Sequence, residues 1–364
     1  MRIKRLPCLT ALPLMMATPA LADAPRVAVD IAPVHALVAQ VMAGVGAPDL
    51  VLPPTASPHG YALRPSEARA LQDAELVIWV GPELTPWLAD PLDTLAGDAA
   101  RLRLLQVDGL RLLAFREGAT FAAHDHEQDA DHGHDDDHDH DHDHDHDHEE
   151  DHEAAHDHDH DAGDDDGHDH GHEEDAGHDD DHDHDDDHGH DHDGADPHAW
   201  LDPVNAAVWL DAIAAELSSL DPDNAATYAA NAAAARDDLA TQQQDIAARM
   251  ARVSGSFIVF HDAYHYFEAR FGVEASGAIS LSDASAPGPA RVAEIRDLVA
   301  AQGITCVFVE PQFNRGIVDA VFEGTGVRVG VIDPLGAGLE PGAELYGALL
   351  EGVAASFEDC LADS

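Results

Sequence analysis

Residues 124–193 hold 35 acidic side chains, 23 of the chain's 28 histidines, and neither Lys nor Arg. Almost no apolar residue interrupts this tract, so it cannot bury enough surface to offset the entropy of ordering it. It reads as a disordered insertion, and whatever folds in this 364-residue chain is built from the flanking sequence. The tract also dominates the charge. Asp and Glu outnumber Lys and Arg by 72 to 18, a net −54, and setting the tract aside leaves −19. A surface of that sign repels phosphate backbones and anionic headgroups, which argues against nucleic acid as a partner and against electrostatic membrane docking. With 45% apolar residues overall, the rest can form a substantial core, and its length suits about two domains.

The first 22 residues have the pattern of a secretory signal peptide. Arg2, Lys4 and Arg5 are followed by the apolar run from Leu6 to Met16, then by Ala20-Leu21-Ala22 as an A-x-A cleavage site. Pro7 and Pro13 break the run, which is too short to span a bilayer. Cys8 lies too early to carry a lipid after cleavage, so a soluble exported protein is expected. Cleavage leaves Cys306 and Cys360, 54 positions apart. An even pair in an oxidising compartment favours a disulfide over two thiols, although spacing alone does not bring two Cα atoms within bonding distance.

Short apolar runs alternate with helical periodicity on both sides of the tract. Arg26 to Asp30, Leu50 to Leu52 and Leu76 to Val80 read as strands, with helices from Pro33 to Val45 and Ser66 to Asp73 between them. Asp202-Pro203 is an N-cap with proline at the first helical position, and Trp209, Ile213, Leu217 and Leu220 follow on one face. Asp221-Pro222 repeats the start signal, and the chain runs to Val253 without Gly or Pro, a helix of roughly 45 Å. Beyond it, Ser256 to Phe260, Ala278 to Leu281, Ile304 to Val309 and Val327 to Ile332 read as strands. Helices at 263–271, 289–302, 315–324 and 342–357 separate or follow them. The expected fold class is α/β, with mainly parallel sheets covered on both faces. Its organisation is a leader (1–22), an N-terminal lobe (23–220, including the insertion 124–193), a rigid linking helix (221–253) and a C-terminal lobe (254–364).

Five histidines remain outside the tract: His35, His59, His198, His261 and His265. His59 stands in a loop after a strand, His198 just before the capped helix, and His261 directly after the strand at 257–260. Asp333 follows the strand ending at Ile332. Ligands of open α/β sheets bind beyond the carboxyl ends of the strands, so groups from both halves can meet across a cleft. The alternative is that these are ordinary surface or hydrogen-bonded histidines. His35 is expected exposed near a helix start, with no role.

The segments Ser57-Pro-His-Gly-Tyr-Ala-Leu-Arg-Pro-Ser66, Val77-Ile-Trp-Val-Gly81, Pro197-His-Ala-Trp-Leu-Asp-Pro203, Phe260-His-Asp-Ala-Tyr264, Val309-Glu-Pro-Gln-Phe313 and Asp333-Pro-Leu335 span nearly the whole mature chain. Together they resemble the zinc-specific solute-binding proteins of bacterial ABC importers, within the metal-binding cluster A-I family. The resemblance implies two α/β lobes joined by one long helix, with Zn²⁺ held between them. It implies a periplasmic, monomeric carrier serving an inner-membrane ABC permease with its cytoplasmic ATPase, and no enzymatic reaction. The family's three imidazole ligands fall on His59, His198 and His261. Asp333 matches a carboxylate that is a ligand in some relatives and only a neighbour in others, and is the candidate for the fourth position. Where some members use a Glu just before the first His, this chain has Pro58. The family's C-lobe disulfide matches Cys306 and Cys360. A third imidazole, rather than a carboxylate, at His261 suits zinc over manganese.

Two other readings compete. His261-Asp-Ala-Tyr-His265 is close to the H-E-x-x-H helix of zinc proteases, with Asp262 in place of the general base, which would make an exported zinc hydrolase. The tract itself is either a solvated, self-repelling spacer or a multidentate metal collector, and 23 imidazoles favour weak, plural zinc binding. If the tract carried the main site, the protein would be a metal buffer.

Overall fold

The computed structural model describes residues 24–116, 121, 194–280, 288–313 and 315–361. The expected leader, and the tract at 124–193 with its expected disorder, lie outside the described residues. The first lobe contains β1 (Val27–Val29), α1 (Ala32–Val41), β2 (Asp49–Leu50), α2 (Pro65–Asp73), β3 (Leu76–Trp79), α3 (Ala89–Leu95) and β4 (Ala100–Arg103). Its strands are all parallel, in the order β2-β1-β3-β4. Two helices follow, α4 (Pro203–Leu220) and α5 (Ala225–Met250). The second lobe runs β5 (Phe257–His261), α6 (His265–Phe271), β6 (Ala278–Ser280), α7 (Pro289–Gln302), β7 (Cys306–Val309), α8 (Arg315–Phe322), β8 (Arg328–Val331) and α9 (Leu345–Leu361). Its sheet repeats the pattern, with parallel order β6-β5-β7-β8.

Strand periodicity explains the layering. Val27, Val29, Leu76 and Ile78 face one core, while Ala28, Val77 and Trp79 face a second cluster under α2 and α3. In the other sheet Phe257, Val259, Cys306 and Phe308 join the same first core, and Ile258, Phe260, Val307 and Val309 face a cluster under α7 and α8. Alternate residues of a strand point to opposite faces, so runs apolar at every position become strands buried on both sides. The inner faces of both sheets thus belong to one continuous core.

Asp202 caps α4 as its position suggests, its carboxylate accepting the Val204 N–H at 2.9 Å, with Pro203 at the first helical position. Asp221 behaves differently. Its carboxylate accepts from Asn224 and from the Tyr228 hydroxyl, which holds Pro222–Asn224 in a 3₁₀ turn, and the α-helix begins one turn late at Ala225. The 26 residues of α5 span about 39 Å. Asn231 donates to the carbonyls of Val41 and Ala43 in the first lobe, and Gln242 and Arg249 reach Gly347, Glu351 and Glu358 on α9. One helix therefore holds both lobes.

Three features differ from the sequence expectations or add to them. Strand β4, with the sequence Ala-Arg-Leu-Arg, lacks an apolar run because it lies at the sheet edge. His35 is buried rather than exposed, since α1 is packed by α4, α5 and α9. Its Nε2 lies 3.1 Å from the Pro48 carbonyl, and burial lowers the imidazole pKa. Cys306 on β7 and Cys360 on α9 are joined by a disulfide, with Cα atoms 5.9 Å apart.

Helix α6 is fastened to the first half of the chain by two Arg–carboxylate pairs running in opposite directions. Arg116 bonds Asp262 through two nitrogens and Glu268 through two more contacts at 2.6 and 3.1 Å. Arg270 grips Asp202 at 2.7 and 2.6 Å. Between them the Tyr266 hydroxyl donates to the Asp196 carbonyl and accepts the Leu113 N–H. Glu268 and Asp262 are almost fully enclosed, with side-chain exposures of 2% and 7%. Removing one partner of such a buried cluster leaves uncompensated charge, at a cost of about 3–5 kcal/mol. Arg116→Met should therefore lower the unfolding free energy by about that amount, measured from the urea midpoint and slope. A loss below about 0.5 kcal/mol would mean that water, rather than Arg116, balances these carboxylates.

Candidate metal centre

The carboxyl ends of the two sheets face a common cleft, as strand order predicts for sheets that reverse direction beside their first strand. His261 is the last residue of β5, and His198 precedes the short 3₁₀ turn Ala199–Leu201 that leads to the α4 cap. His59 comes from the loop between β2 and α2. That loop is held by the Trp87 indole N–H on the Pro58 carbonyl at 2.7 Å and by Ser57 Oγ, which accepts the His59 N–H. One ring nitrogen from each of His59, His198 and His261 lies within 4.8 Å of the others. The structure thus brings together three residues that are 139 and 63 positions apart in sequence.

Each buried imidazole is oriented from behind by a carboxylate. Asp196 Oδ1 accepts the His198 backbone N–H at 2.9 Å and faces the ring Nδ1 at 2.7 Å. Glu310 Oε1 lies 2.6 Å from His261 Nδ1. With a proton on each Nδ1, shared with its carboxylate, both Nε2 lone pairs face inward, and the two Nε2 atoms lie 3.3 Å apart. Two nitrogens bound to one tetrahedral Zn²⁺ at 2.0–2.1 Å would stand about 3.3–3.4 Å apart, so this spacing is already that of a ligand pair. Burial, and then the adjacent His261, push His198 well below the ordinary imidazole pKa, which keeps it neutral. Burial raises Asp196 to about 7. Burial thus disfavours charge on both groups, and a neutral His198 keeps a ring lone pair available to a metal.

The cleft itself is small. Pro58, His59, His198, Trp200, His261, Glu310, Gln312, Pro334 and Leu335 surround it, and they leave about 10 Å³ for the centre of a water-sized sphere. That volume suits an ion with at most one small ligand, and no organic substrate.

Asp333 does not join this group. Its Oδ1 accepts the N–H groups of Leu335 and Gly336, at 3.1 and 2.8 Å, and its Oδ2 that of Gly338 at 3.4 Å. The carboxylate thus organises its own loop, and Asp333 is absent from the residues around the cleft. His265 also stands apart: its Nδ1 faces Asp196 Oδ2 at 3.8 Å on the far side of that carboxylate. Asp262, the general base of the hydrolase reading, is occupied by Arg116. Glu310 and Asp196 had no role from sequence alone. The available signals were an acid two residues before His198 and one directly after the strand beside His261.

The family model for the zinc-uptake complex component A, periplasmic, matches residues 27–360. A high-affinity zinc uptake system protein ZnuA from Paracoccus denitrificans (strain Pd 1222) is 46% identical over 347 residues, covering 95% of this chain and 94% of its own. That of Brucella abortus (strain 2308) is 43% identical over 336 residues, covering 92% and 91%. A crystal structure of ZnuA superposes with a TM-score of 0.65 at 20% identity, covering 93% of this chain and all of the other, which shows the shared fold. The match extends through both lobes and every segment that contributes to the cleft, and the chain belongs to the family of zinc-uptake complex component A, periplasmic.

Proposed function

We propose that this protein is the periplasmic zinc carrier of an ABC importer, binding one Zn²⁺ tightly between its lobes. It acts as a monomer and delivers the ion to an inner-membrane permease driven by a cytoplasmic ATPase. It performs no reaction, so affinity and selectivity are its activity. The observation that carries this reading is the pair of Nε2 atoms held 3.3 Å apart beside a third imidazole. His59, His198 and His261 are the proposed ligands, and three neutral nitrogens favour zinc over manganese, which prefers more oxygen. The engagement of Asp333 with its own loop speaks against that carboxylate as the fourth donor. Residues 1–22 act as the export leader, 23–220 and 254–364 as the two lobes, and 221–253 as their link. Residues 124–193 serve as a collector with weak, plural zinc sites.

Titration separates the site from the tract. The mature chain should bind one zinc tightly and several weakly. Deleting 124–193 should remove the weak class alone. Loss of the tight class on deletion would instead make the tract the principal site and the protein a buffer.

Substitutions separate carrier from hydrolase. His59→Ala should weaken tight zinc binding by orders of magnitude, while His265→Ala should change it less than threefold, both measured against a chromophoric chelator. The reverse pattern would favour an enzyme built on His261 and His265.

Glu310→Gln probes the support behind His261. Loss of such a carboxylate commonly lowers metal affinity 10- to 100-fold, and the same competition assay should report a fall in that range. An unchanged affinity would mean that the ring is held by packing against Phe313, whose centroid is 5.9 Å away.

A further inference from the structure

Three imidazoles leave one position of a tetrahedral zinc ion open, and the groups around the cleft differ in what they have left to offer it. Pro58, Pro334 and Leu335 have no donor side chain, and the Trp200 indole N–H is committed to the Pro334 carbonyl at 2.8 Å. Glu310 Oε1 is engaged by His261. Gln312 is different. Both its amide atoms, Oε1 and Nε2, are buried and have no hydrogen-bond partner among the described residues. Burying an amide unpaired costs about 1–3 kcal/mol, and such groups persist in native proteins where a water, an ion or a function accounts for them.

The local fold holds Gln312 at this place. The Phe313 N–H donates to the Glu310 carbonyl at 3.2 Å, closing a turn directly after β7 with Pro311 at its second position. Phe313 then stacks on Phe260, with centroids 4.4 Å apart and planes inclined by 26°. Glu310 and Phe313 are thus both fixed against the strand that carries His261, and the amide between them lines the same small cavity as the three imidazoles.

We infer that Gln312 is a positioning residue for the fourth zinc ligand, its amide oxygen accepting a hydrogen bond from the single water that completes the tetrahedron. This rests on the zinc-carrier reading above. Carboxamides are outside the usual set of direct zinc donors, whereas a zinc-bound water is a strong hydrogen-bond donor in need of an acceptor. A neutral acceptor holds that water without adding charge, which suits a site that must also release its ion.

The test uses the mature full-length chain and one equivalent of metal, so that only the tight site fills. Gln312→Leu should weaken zinc about tenfold in chelator competition, the loss expected for one hydrogen bond to a polarised group. The visible absorption of one equivalent of Co²⁺, which reports coordination number and ligand type, should change as well. Gln312→Glu, whose carboxylate supplies an oxygen at the same place, should restore zinc affinity to the native level or above it. Native affinity and an unchanged cobalt spectrum in Gln312→Leu would overturn the inference. So would weakened zinc with an unchanged spectrum, which would be a packing effect. If the Leu variant fails to fold, Gln312→Glu decides alone: a loss of affinity there counts against the inference. Absence of a tight equivalent in the native chain would instead defeat the carrier reading itself, so the two failures are distinguishable.

Discussion

The cleft depends on two short bonds that point away from it. Asp196 beside His198 and Glu310 beside His261 orient the rings, and an Nδ1 proton shared with each carboxylate leaves Nε2 facing inward with a lone pair. Two inward lone pairs at 3.3 Å repel one another unless a cation lies between them. The carboxylates make the unoccupied arrangement costly and the occupied one favourable. They also keep the rings from rotating to relieve that repulsion.

Such a geometry lasts only if the lobes bearing His198 and His261 cannot drift apart. The inner faces of both sheets share one core, α5 is bonded to α1 and α9, and α6 is held by ion pairs of both polarities. Arg116 bonds Asp262, the residue next to His261, while Tyr266 bonds the backbone of Asp196, which orients His198. The fastening thus reaches the two ring supports directly. Bidentate guanidinium–carboxylate pairs resist both sliding and rotation, which a single hydrogen bond does not.

Much of this was legible in the sequence, for identifiable reasons. Strands β1, β3, β5 and β7 are central and buried on both faces, so they appear as unbroken apolar runs. The α4 start was readable because capping is local: Asp202 and Pro203 act on the next few residues. What was not legible is long-range. Nothing near His35 announces that α4, α5 and α9 will cover it. Edge strand β4 needs only a half-apolar pattern, and its arginines hide it. Asp333 is a position that sequence leaves open. Its place after a strand marks it as a ligand candidate, yet three backbone N–H groups in its own loop claim the carboxylate. The convergence of His59, His198 and His261 came from resemblance, because spacing cannot show that residues so far apart will meet.

Ala114 and Ala195 form an isolated antiparallel bridge, and the Asp196 N–H donates to the Leu113 carbonyl at 2.8 Å. Main-chain bonds thus already tie together the two stretches of chain that flank the insertion, at residues 113–114 and 195–196. For a segment tied in this way, the entropy of closure grows only logarithmically, about 0.6 kcal/mol for each doubling of length. Histidine–aspartate repeats can then be gained or lost at little cost to the fold. Tract length can then change while the cleft stays unchanged.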